Sequence, residues 1–420
     1  MTGGMRKPFY GWAIVAVGAL ITFSSGPGQS FVFSVFLDSI IHDTGLSRTT
    51  ISALYALGTG FSAVLVFFVS RLADRYGPRL TVVLIALFLG TACFGMAFAK
   101  GFIAFFLAFA ALRALGQGSL PINATLLTAQ WFVRRRGRAM AVIGLGFAAS
   151  NAVLPPLSRF LIEQTGWRHA YMVLGVIVWV LVIPGALLLV RNTPEEVGLY
   201  PDGVDEPPKN EPRSIKQSQG SSRKVFTSPR FWLLAIPLAT PSFVSTALVF
   251  HQVSIFSERG VNATIAAAVF VPYAIASASF SAIAGFAIER FGPKRLFAVN
   301  MVLLLSAVIM VGFITSTSAA ILYAIVLGSA GGIQSIISGV TWAHVYGRHG
   351  LGRVQGSAMM VSITSAAVGP LPIAYLHGMT GTYTLGLTLM AALPILAVVL
   401  ISFARMDATE AGQPAVATTH

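Results

Sequence analysis

Few residues in this sequence could carry out chemistry, because charged side chains are rare inside its long apolar runs. Arg113 is the only Lys or Arg within such a run, and His251 is the side chain best placed within one to titrate near neutral pH. All 14 Asp and Glu residues lie between runs or near their ends. The sequence contains no H-E-x-x-H pair, cysteine cluster, phosphate-binding glycine loop or pair of aspartates within a run. These features argue against an enzyme, and they predict neither a metal site nor a cofactor.

Several uncharged polar side chains also fall within the runs. Each could line a polar pathway or simply hydrogen-bond a neighbouring helix. Arg113 has the same two possibilities, because a charge in an apolar medium must face a cavity or a partner. The residues that we assign to a pathway on this basis are Arg113, Gln117, Asn123, Gln29, Asn151, His251, Gln252, Tyr273 and Gln334.

The composition indicates that the solvent around the chain is lipid. Hydrophobic residues make up 55% of the 420 residues, charged residues 10%, and the mean hydropathy is +0.77. A bilayer core needs about 20 apolar residues per helix. About twelve stretches of that kind are present, near 10–36, 49–70, 80–99, 102–132, 139–160, 169–190, 231–256, 263–288, 296–314, 319–346, 354–376 and 383–404. We therefore predict an all-α membrane protein with twelve transmembrane helices.

The positions of the basic residues along the chain explain the net charge of +14. With an inner N-terminus and twelve crossings, 22 of the 28 Lys and Arg residues fall on the inner side. This asymmetry follows the positive-inside rule and predicts an inner-membrane (plasma-membrane) protein with both termini in the cytoplasm. A basic inner face accounts for the charge, so we expect no nucleic-acid partner.

The two halves of the sequence repeat at an offset of 215 residues. Asp74, Arg75, Gly77, Pro78 and Arg79 align with Glu289, Arg290, Gly292, Pro293 and Lys294, and Pro155 aligns with Pro370. Such a repeat predicts two pseudo-symmetric six-helix bundles around an axis along the membrane normal. We expect bundles at 1–190 and 231–406, a polar cytoplasmic linker at 191–230, and a cytoplasmic tail at 407–420.

The repeated segment resembles the loop motif G-x-x-x-D-R-x-G-R-[RK] of the major facilitator superfamily. The second copy is matched by Gly285, Glu289, Arg290, Gly292, Lys294 and Arg295, and the first copy has Ser70 in place of the leading Gly. Arg113, Gly116, Gln117 and Gly118 are similar to the family's fourth-helix motif. The resemblance covers the whole chain and implies a secondary transporter that works by alternating access.

Within that superfamily the chain is similar to the monocarboxylate porter group, which includes oxalate:formate antiporters. The likeness is carried by FYGW at 9–12, WFVRRRGRA at 131–139, GWR at 166–168 and PEEVGLYPDG at 194–203. It implies a small organic anion, of the mono- or dicarboxylate type, moved by proton symport or solute exchange. The group commonly has a substrate-binding Arg where this chain has Ser281, which we therefore add to the predicted pathway residues, and residues 355–376 contain no Lys or Arg. Arg113 is then the remaining candidate to compensate an anion.

Two alternatives stay open at this point. The missing cation at Ser281 and the apolar spans also suit an exporter of a neutral or amphipathic metabolite or drug. A membrane sensor that binds a solute without moving it is the alternative of another class. We expect the protein to act as a monomer in the lipid bilayer.

The repeated loops predict a cytoplasmic gate. A carboxylate at a span end can bind the exposed backbone amides at the start of a neighbouring helix. By pseudo-symmetry we expect Asp74 to face the helix start near Arg353, and Glu289 to face the one near Arg138; plain surface ion pairs are the alternative. The basic residues assigned to this gate are Arg75, Arg79, Arg138, Arg290 and Arg353.

Overall fold

The computed structural model describes residues 9–132, 135–204, 226–346 and 351–403. Over these residues the chain folds into helices, turns and loops, with no strand. The first six spans are Gly11–Thr44, Arg48–Tyr76, Pro78–Phe98, Gly101–Trp131, and the two parts of Arg136–Leu189, at 136–165 and 167–189. The last six are Pro229–Glu258, 263–291, 293–311, Thr317–Tyr346, Leu351–Thr380 and Thr384–Phe403. The described ranges thus contain the twelve predicted spans.

Several spans are interrupted. The first consists of helices Gly11–Phe23 and Ser30–Thr44 around a 3₁₀ turn at Gly26–Gly28. The fourth consists of Gly101–Leu112, a π-helical segment Arg113–Ser119, and Leu120–Trp131. The eighth consists of Ala263–Ala268 and the first part of Phe270–Val311, and the eleventh of Leu351–Val368 and Pro370–Thr380. Such breaks expose backbone groups inside the membrane, where they need a cavity or a polar partner.

The outer surface of the bundle is apolar. Phe286 is 80% exposed, Phe313 77% and Ile103 73%. In water these side chains would be a large unfavourable patch, whereas in a bilayer they meet lipid chains. The surface therefore fits the composition, and the protein is a multi-pass membrane protein.

The repeat predicted from the sequence is visible in the backbone. The left-handed glycines Gly45, Gly77 and Gly166 have φ of 69°, 82° and 80°, and their partners 215 residues later, Gly260, Gly292 and Gly381, have 76°, 75° and 72°. Only glycine adopts this conformation without strain, so each pair marks one turn used in both halves.

A side-chain contact repeats at the same offset. Arg79 donates from Nη2 to the carbonyl of Leu187 at 2.5 Å. In the second half Lys294 donates from Nζ to the carbonyl of Ser402 at 3.1 Å. In each half the basic residue at the start of the third span therefore binds the end of the sixth, so the repeat extends to the sixth span.

Part of the predicted linker packs on the first half. Two short 3₁₀ helices, Pro194–Val197 and Pro201–Gly203, follow the sixth span. Asp202 accepts a hydrogen bond from the backbone amide of Arg135 at 3.0 Å, and Trp131 donates to the carbonyl of Arg191 at 3.1 Å. The linker segment 205–225 and the tail 407–420 lie outside the described residues.

Candidate functional site: a central cavity and its outer closure

A cavity of about 970 Å³ lies between the fifth, eighth and tenth spans. Most of its wall is apolar, and the described residues that line it include no charged side chain. Five polar residues face it: Asn151, Tyr273, Ser277, Ser281 and Ser335. A wall of this kind suits a small solute with an apolar body and few polar groups.

Glycine brings the polar wall together. A side chain at Gly332 would collide with the backbone carbonyl of Ser277, so the eighth and tenth spans approach closely only because this residue is glycine. The approach places Ser281 Oγ 3.1 Å from Ser335 Oγ. Ser277 lies one turn before Ser281 on the same helix face. The three hydroxyls thus form one polar strip, which we call the serine strip (Ser277, Ser281 and Ser335).

Across the cavity, Asn151 on the fifth span complements the serine strip. Its side chain is 7% exposed, and its Oδ1 has no hydrogen-bond partner among the described residues. A buried amide oxygen without a partner costs about 1–3 kcal/mol, so a donor from a bound solute or water would be favoured there. Asn151 and the serine strip can together supply donors and acceptors from both halves.

Aromatic rings close the cavity on the side away from the basic loops. Phe147, which lines the cavity, lies 5.9 Å from Phe31, and Phe31 lies 6.4 Å from Phe270, between ring centroids. Further out, Phe250 packs 5.3 Å from Phe33 and 4.7 Å from Tyr55. In contrast, the cavity reaches Gly137 at the basic end of the fifth span. The cavity is therefore directed toward the basic side.

Polar contacts between the two halves complete the closure beyond these rings. Ser254 of the seventh span donates to Asp38 Oδ1 of the first at 2.6 Å and accepts from Arg48 Nη1 of the second at 2.5 Å. Arg48 also pairs with the same Asp38 oxygen at 2.9 Å. Because the sequence predicts that the side opposite the basic loops is the outer one, we call Asp38, Arg48 and Ser254 the outer gate. Ser254 is the member that belongs to the second half, so it connects the two bundles.

Two further contacts cross between the halves at the same end. Thr264 of the eighth span donates to Glu163 of the fifth at 2.9 Å, and Thr49 donates to the carbonyl of Ala374 at 3.1 Å. Close by, Tyr383 lies in the loop before the twelfth span, and burial raises the pKa of its phenol, which therefore stays neutral. The outer side is thus held by hydrogen bonds as well as by ring packing.

Arg113 lies away from the large cavity, in a separate small pocket of the first half. It is 2% exposed; Nε donates to Thr59 Oγ1 at 2.9 Å, and Nη1 donates to the carbonyl of Gly28 at 2.8 Å. The guanidinium carbon lies 4.5 Å from the ring centroid of Tyr55. Gly28 is in the 3₁₀ turn of the first span, so Arg113 satisfies a carbonyl that the break leaves free. These contacts connect the first, second and fourth spans.

A family comparison bears directly on this arrangement. The model of the Major Facilitator Superfamily matches residues 18–258, more than half of the chain. This chain belongs to the major facilitator superfamily. It is consequently a transporter of small solutes and not an enzyme, and the fold predicted from the sequence is confirmed.

Individual relatives agree with the predicted group. Over 337 residues this chain is 26% identical to human Monocarboxylate transporter 11, and the match covers 77% of this chain and 68% of that protein. It is 23% identical over 331 residues to the uncharacterized MFS-type transporter YbcL of Bacillus subtilis, with 76% of each chain covered. A match to human Monocarboxylate transporter 7, at 28% identity, covers 43% of this chain and 34% of that one.

Solved structures show the same fold. A bacterial homologue of the human lysosomal transporter Spinster, in an inward-facing and unoccupied conformation, superposes with a TM-score of 0.69 at 17% identity, covering 95% and 96% of the two chains. A mutant form of the nucleoside transporter NupG superposes with a TM-score of 0.74 at 13% identity, covering 93% and 99%. Both likenesses concern architecture alone.

The predicted pathway residues of the first half fall into two groups. Asn151 lines the large cavity. Gln29 borders the small pocket of Arg113 and donates to Ser25 Oγ at 3.4 Å, and Asn123 donates to the carbonyl of Ser119 at 2.9 Å. Gln117 is half-buried in the π-helical segment. Their proposed contact with a solute remains a prediction.

The second half divides in the same way. Tyr273 and Ser281 line the large cavity. His251 is fully buried, with Nε2 2.9 Å from the carbonyl of Pro370, and Gln252 donates to the carbonyl of Ala266 at 2.9 Å. Gln334 accepts from Asn300 at 2.9 Å and donates to the carbonyl of Leu238 at 3.0 Å. In this conformation these three side chains hold helices together.

Most of the described residues of the predicted cytoplasmic gate are exposed in this conformation. Arg75, Arg138, Glu289 and Arg290 are exposed, and Arg79 binds the sixth span as described above. The side chains of Asp74 and Arg353 lie outside the described residues. A cavity directed toward this face is compatible with a gate that forms only after the opposite side opens.

The outer gate and, apart from Ser281, the serine strip were not predicted from the sequence. Ser277 could have been found from its four-residue spacing to Ser281, which predicts one shared helix face. Asp38 and Arg48 lie at the ends of consecutive spans, which is typical of a loop-side ion pair. Their partner Ser254 has no sequence signal, because only the assembly of the two halves brings it there.

Proposed function

We propose that this facilitator is a secondary active transporter of a small organic monocarboxylate, coupled to proton symport or to exchange with another solute. The observation that carries the proposal is the uncharged wall of the large cavity, whose polar groups are one amide and four hydroxyls. This lining refines the anion class expected from the sequence, because it favours one carboxylate over two.

The physical reason is the cost of placing charge in a low-dielectric site. A monoanion loses hydration on entry, and hydroxyl and amide donors can replace part of it. A dianion would lose far more, and the described lining offers no cation to compensate it. A carboxylate that carries a proton enters as a neutral acid, so proton symport would reduce the cost further.

The relatives support the same class. Human Monocarboxylate transporters 11 and 7 are named for monocarboxylates, and the chain is 26% and 28% identical to them over the matched regions. The apolar part of the wall, which includes Met140, Leu145, Phe147 and Ile336, suits the hydrocarbon body of such an acid.

We further propose that the solute crosses the inner membrane by alternating access, with both termini in the cytoplasm. The inner excess of Lys and Arg supports this orientation, which makes the basic side cytoplasmic. The cavity is then directed toward the cytoplasm while the outer gate is closed. Loading from outside would require the outer gate to separate and the predicted cytoplasmic gate to form.

One alternative has an observation in its favour. The same apolar wall would accept a neutral amphipathic metabolite or drug, and an uncharged solute needs no proton at all. Export of such a compound would use the cavity as it stands, open to the cytoplasm.

Uptake into proteoliposomes separates these functions. Three solutes of similar size test charge: butyrate, the dicarboxylate succinate, and the neutral butyramide, each with and without an imposed pH gradient. We expect butyrate uptake that rises when the outside is made acidic, and little uptake of succinate. Transport of butyramide alone would favour the alternative, and succinate uptake at the rate of butyrate would contradict the argument from the uncharged wall.

A pair of serine variants tests the site itself. Ser281→Ala removes one hydroxyl of the serine strip, and Ser306→Ala is the control, because its hydroxyl bonds the carbonyl of Val302 within the ninth span. We expect a rise in KM for butyrate on the order of five- to tenfold in the first variant and no change in the second. Equal kinetics in both variants would remove Ser281 from the site.

A further inference from the structure

A second cavity, of about 300 Å³, lies at the outer ends of the ninth and twelfth spans. Its wall is apolar and includes Val308, Phe313, Leu387 and Ala391, whereas Arg259 and Thr384 lie at its end. We call it the lipid groove. It is separate from the large cavity of the candidate functional site, which lies between the fifth, eighth and tenth spans.

The position of the lipid groove determines what can reach it. Phe313, in its wall, is 77% exposed, and neighbouring side chains on the same two spans, Val302 and Leu389, are 62% and 56% exposed. Because this apolar surface faces the bilayer, acyl chains are the molecules in contact with the groove.

Arg259 gives the lipid groove a cationic end. It follows the seventh span and donates from Nη2 to Thr384 Oγ1 at 3.3 Å. Its Nε is buried and has no hydrogen-bond partner among the described residues. A buried donor of this kind is unfavourable unless an acceptor is supplied from elsewhere. An acceptor brought by a bound molecule would satisfy it.

The other half of the repeat explains why the groove exists. The third and sixth spans, equivalent to the ninth and twelfth, pack tightly: a side chain at Gly90 would collide with the indole of Trp179, and one at Gly175 would lie 2.9 Å from the carbonyl of Gly90. At the offset of 215, Leu305 and Met390 replace the two glycines. These larger side chains prevent the same close approach.

The cation is also confined to one half. The residue that corresponds to Arg259 is Thr44, which bonds the carbonyl of Ile40 at 2.6 Å. The second half therefore combines two departures from the repeat, larger residues in place of the two glycines of the third and sixth spans and an arginine at the membrane boundary.

We propose that the lipid groove binds a phospholipid of the outer leaflet, with one acyl chain between the ninth and twelfth spans and the phosphate at the Arg259 guanidinium. A guanidinium presents parallel N–H donors that match phosphate oxygens. The apolar wall accepts the chain by the same van der Waals packing that joins helices in membranes. Inorganic phosphate alone would leave the apolar wall unfilled, so the two parts of the groove require one amphipathic molecule.

Photo-crosslinking tests the proposal directly. Purified, delipidated protein is incubated with phosphatidylglycerol that carries a diazirine in one acyl chain, irradiated, and digested for mass spectrometry. We expect labelled peptides from 308–313 and 384–391. A tenfold excess of unlabelled phosphatidylglycerol should remove the label, whereas glycerol 3-phosphate and inorganic phosphate should not.

Two variants separate the parts of the groove. Arg259→Gln removes the cation, and Ala391→Phe fills the apolar wall and leaves Arg259 in place. We expect each to lower labelling at these peptides on the order of tenfold. Lys100→Gln, which removes another predicted outer cation, is the control and should keep wild-type labelling.

Several results would overturn the proposal. Wild-type labelling in Arg259→Gln would show that the phosphate is not held there, and wild-type labelling in Ala391→Phe would place the chain elsewhere. Competition by glycerol 3-phosphate as strong as that by the lipid would indicate a site for a soluble phosphate. If Arg259→Gln does not fold, labelling of Arg259→Lys and Ala391→Phe decides whether the lipid groove binds the phospholipid. Each of these variants is first checked for a monodisperse elution profile.

Discussion

The outer gate makes a prediction that concerns one hydroxyl group. Asp38 and Arg48 both belong to the first half, so their ion pair survives when the halves separate. Ser254 is the gate member from the second half, and its hydroxyl bonds both of the others. Ser254→Ala therefore removes the polar link between the halves at this point and leaves the ion pair in place. We expect this substitution to shift the protein toward the state that is open to the outside.

The size of the shift follows from the two bonds. A hydrogen bond to a charged group contributes about 1.5–3 kcal/mol when buried. The Asp38 side chain is 36% exposed and that of Arg48 is 19% exposed. Water can therefore replace part of the loss, and we expect a net change of about 1–2 kcal/mol. That corresponds to a change of roughly 5- to 30-fold in the ratio of the two states.

Distance measurements between spin labels at His42 and Thr382 can follow this ratio. Both residues are exposed, and they lie on different halves at the outer end. We expect the longer of two distances to gain population in Ser254→Ala. Ser257→Ala is the control, because Ser257 is exposed on the same helix three residues away.

Two outcomes would refute this reasoning. An unchanged distance distribution in Ser254→Ala would mean that ring packing at Phe250 holds the outer side closed without the gate. An equal shift in Ser257→Ala would mean that the seventh span responds to any loss of a hydroxyl there, and the outer gate would have no special part.

The remaining predictions concern other parts of the molecule. Arg113→Gln should lower the melting temperature, because it loses hydrogen bonds to Gly28 and Thr59 worth about 1.5–3 kcal/mol each. A well-folded variant with normal stability that no longer binds butyrate would instead show that Arg113 binds the solute. Glu289→Gln should slow transport and favour the cytoplasm-open state if the predicted gate forms. Unchanged transport would mean that Glu289 is a surface residue with no part in a gate. A cysteine at Ser218 should react only with reagents applied to the cytoplasmic side, and labelling on intact cells would contradict the orientation.

Helix rotation limited what the sequence could predict about the cavity. Gln334 and Ser335 are adjacent in the sequence, and the polar amide is the more conspicuous of the two. In the structure Ser335 lines the cavity, while Gln334 bonds Asn300 and the carbonyl of Leu238. Adjacent residues on a helix point about 100° apart, and a span surrounded by apolar residues gives no signal of its rotation. Asn151, Tyr273 and Ser281 were therefore identified without the rest of the lining.

The sequence predicted the presence of the spans better than it predicted the residues at which they end. The apolar run of the first span fades near residue 36, yet the helix continues to Thr44. The last part contains Asp38, His42 and Asp43, whose polarity marks the membrane boundary but does not end a helix. Hydropathy measures burial in lipid, whereas helix ends depend on the turn that follows, here Gly45 at φ 69°.

The repeat explains why the two gates differ in how far they could be predicted. Asp74 and Glu289 are equivalent positions, so the sequence predicts a cytoplasmic gate in both halves. The outer gate has no such equivalence, because Val253 and Ala263 stand 215 residues after Asp38 and Arg48. A contact that is made once, between unlike residues of opposite halves, leaves no repeated pattern to read. The charges of the outer gate thus come from the first half alone and meet the second half through Ser254, which is why its single hydroxyl carries the strongest test of alternating access in this protein.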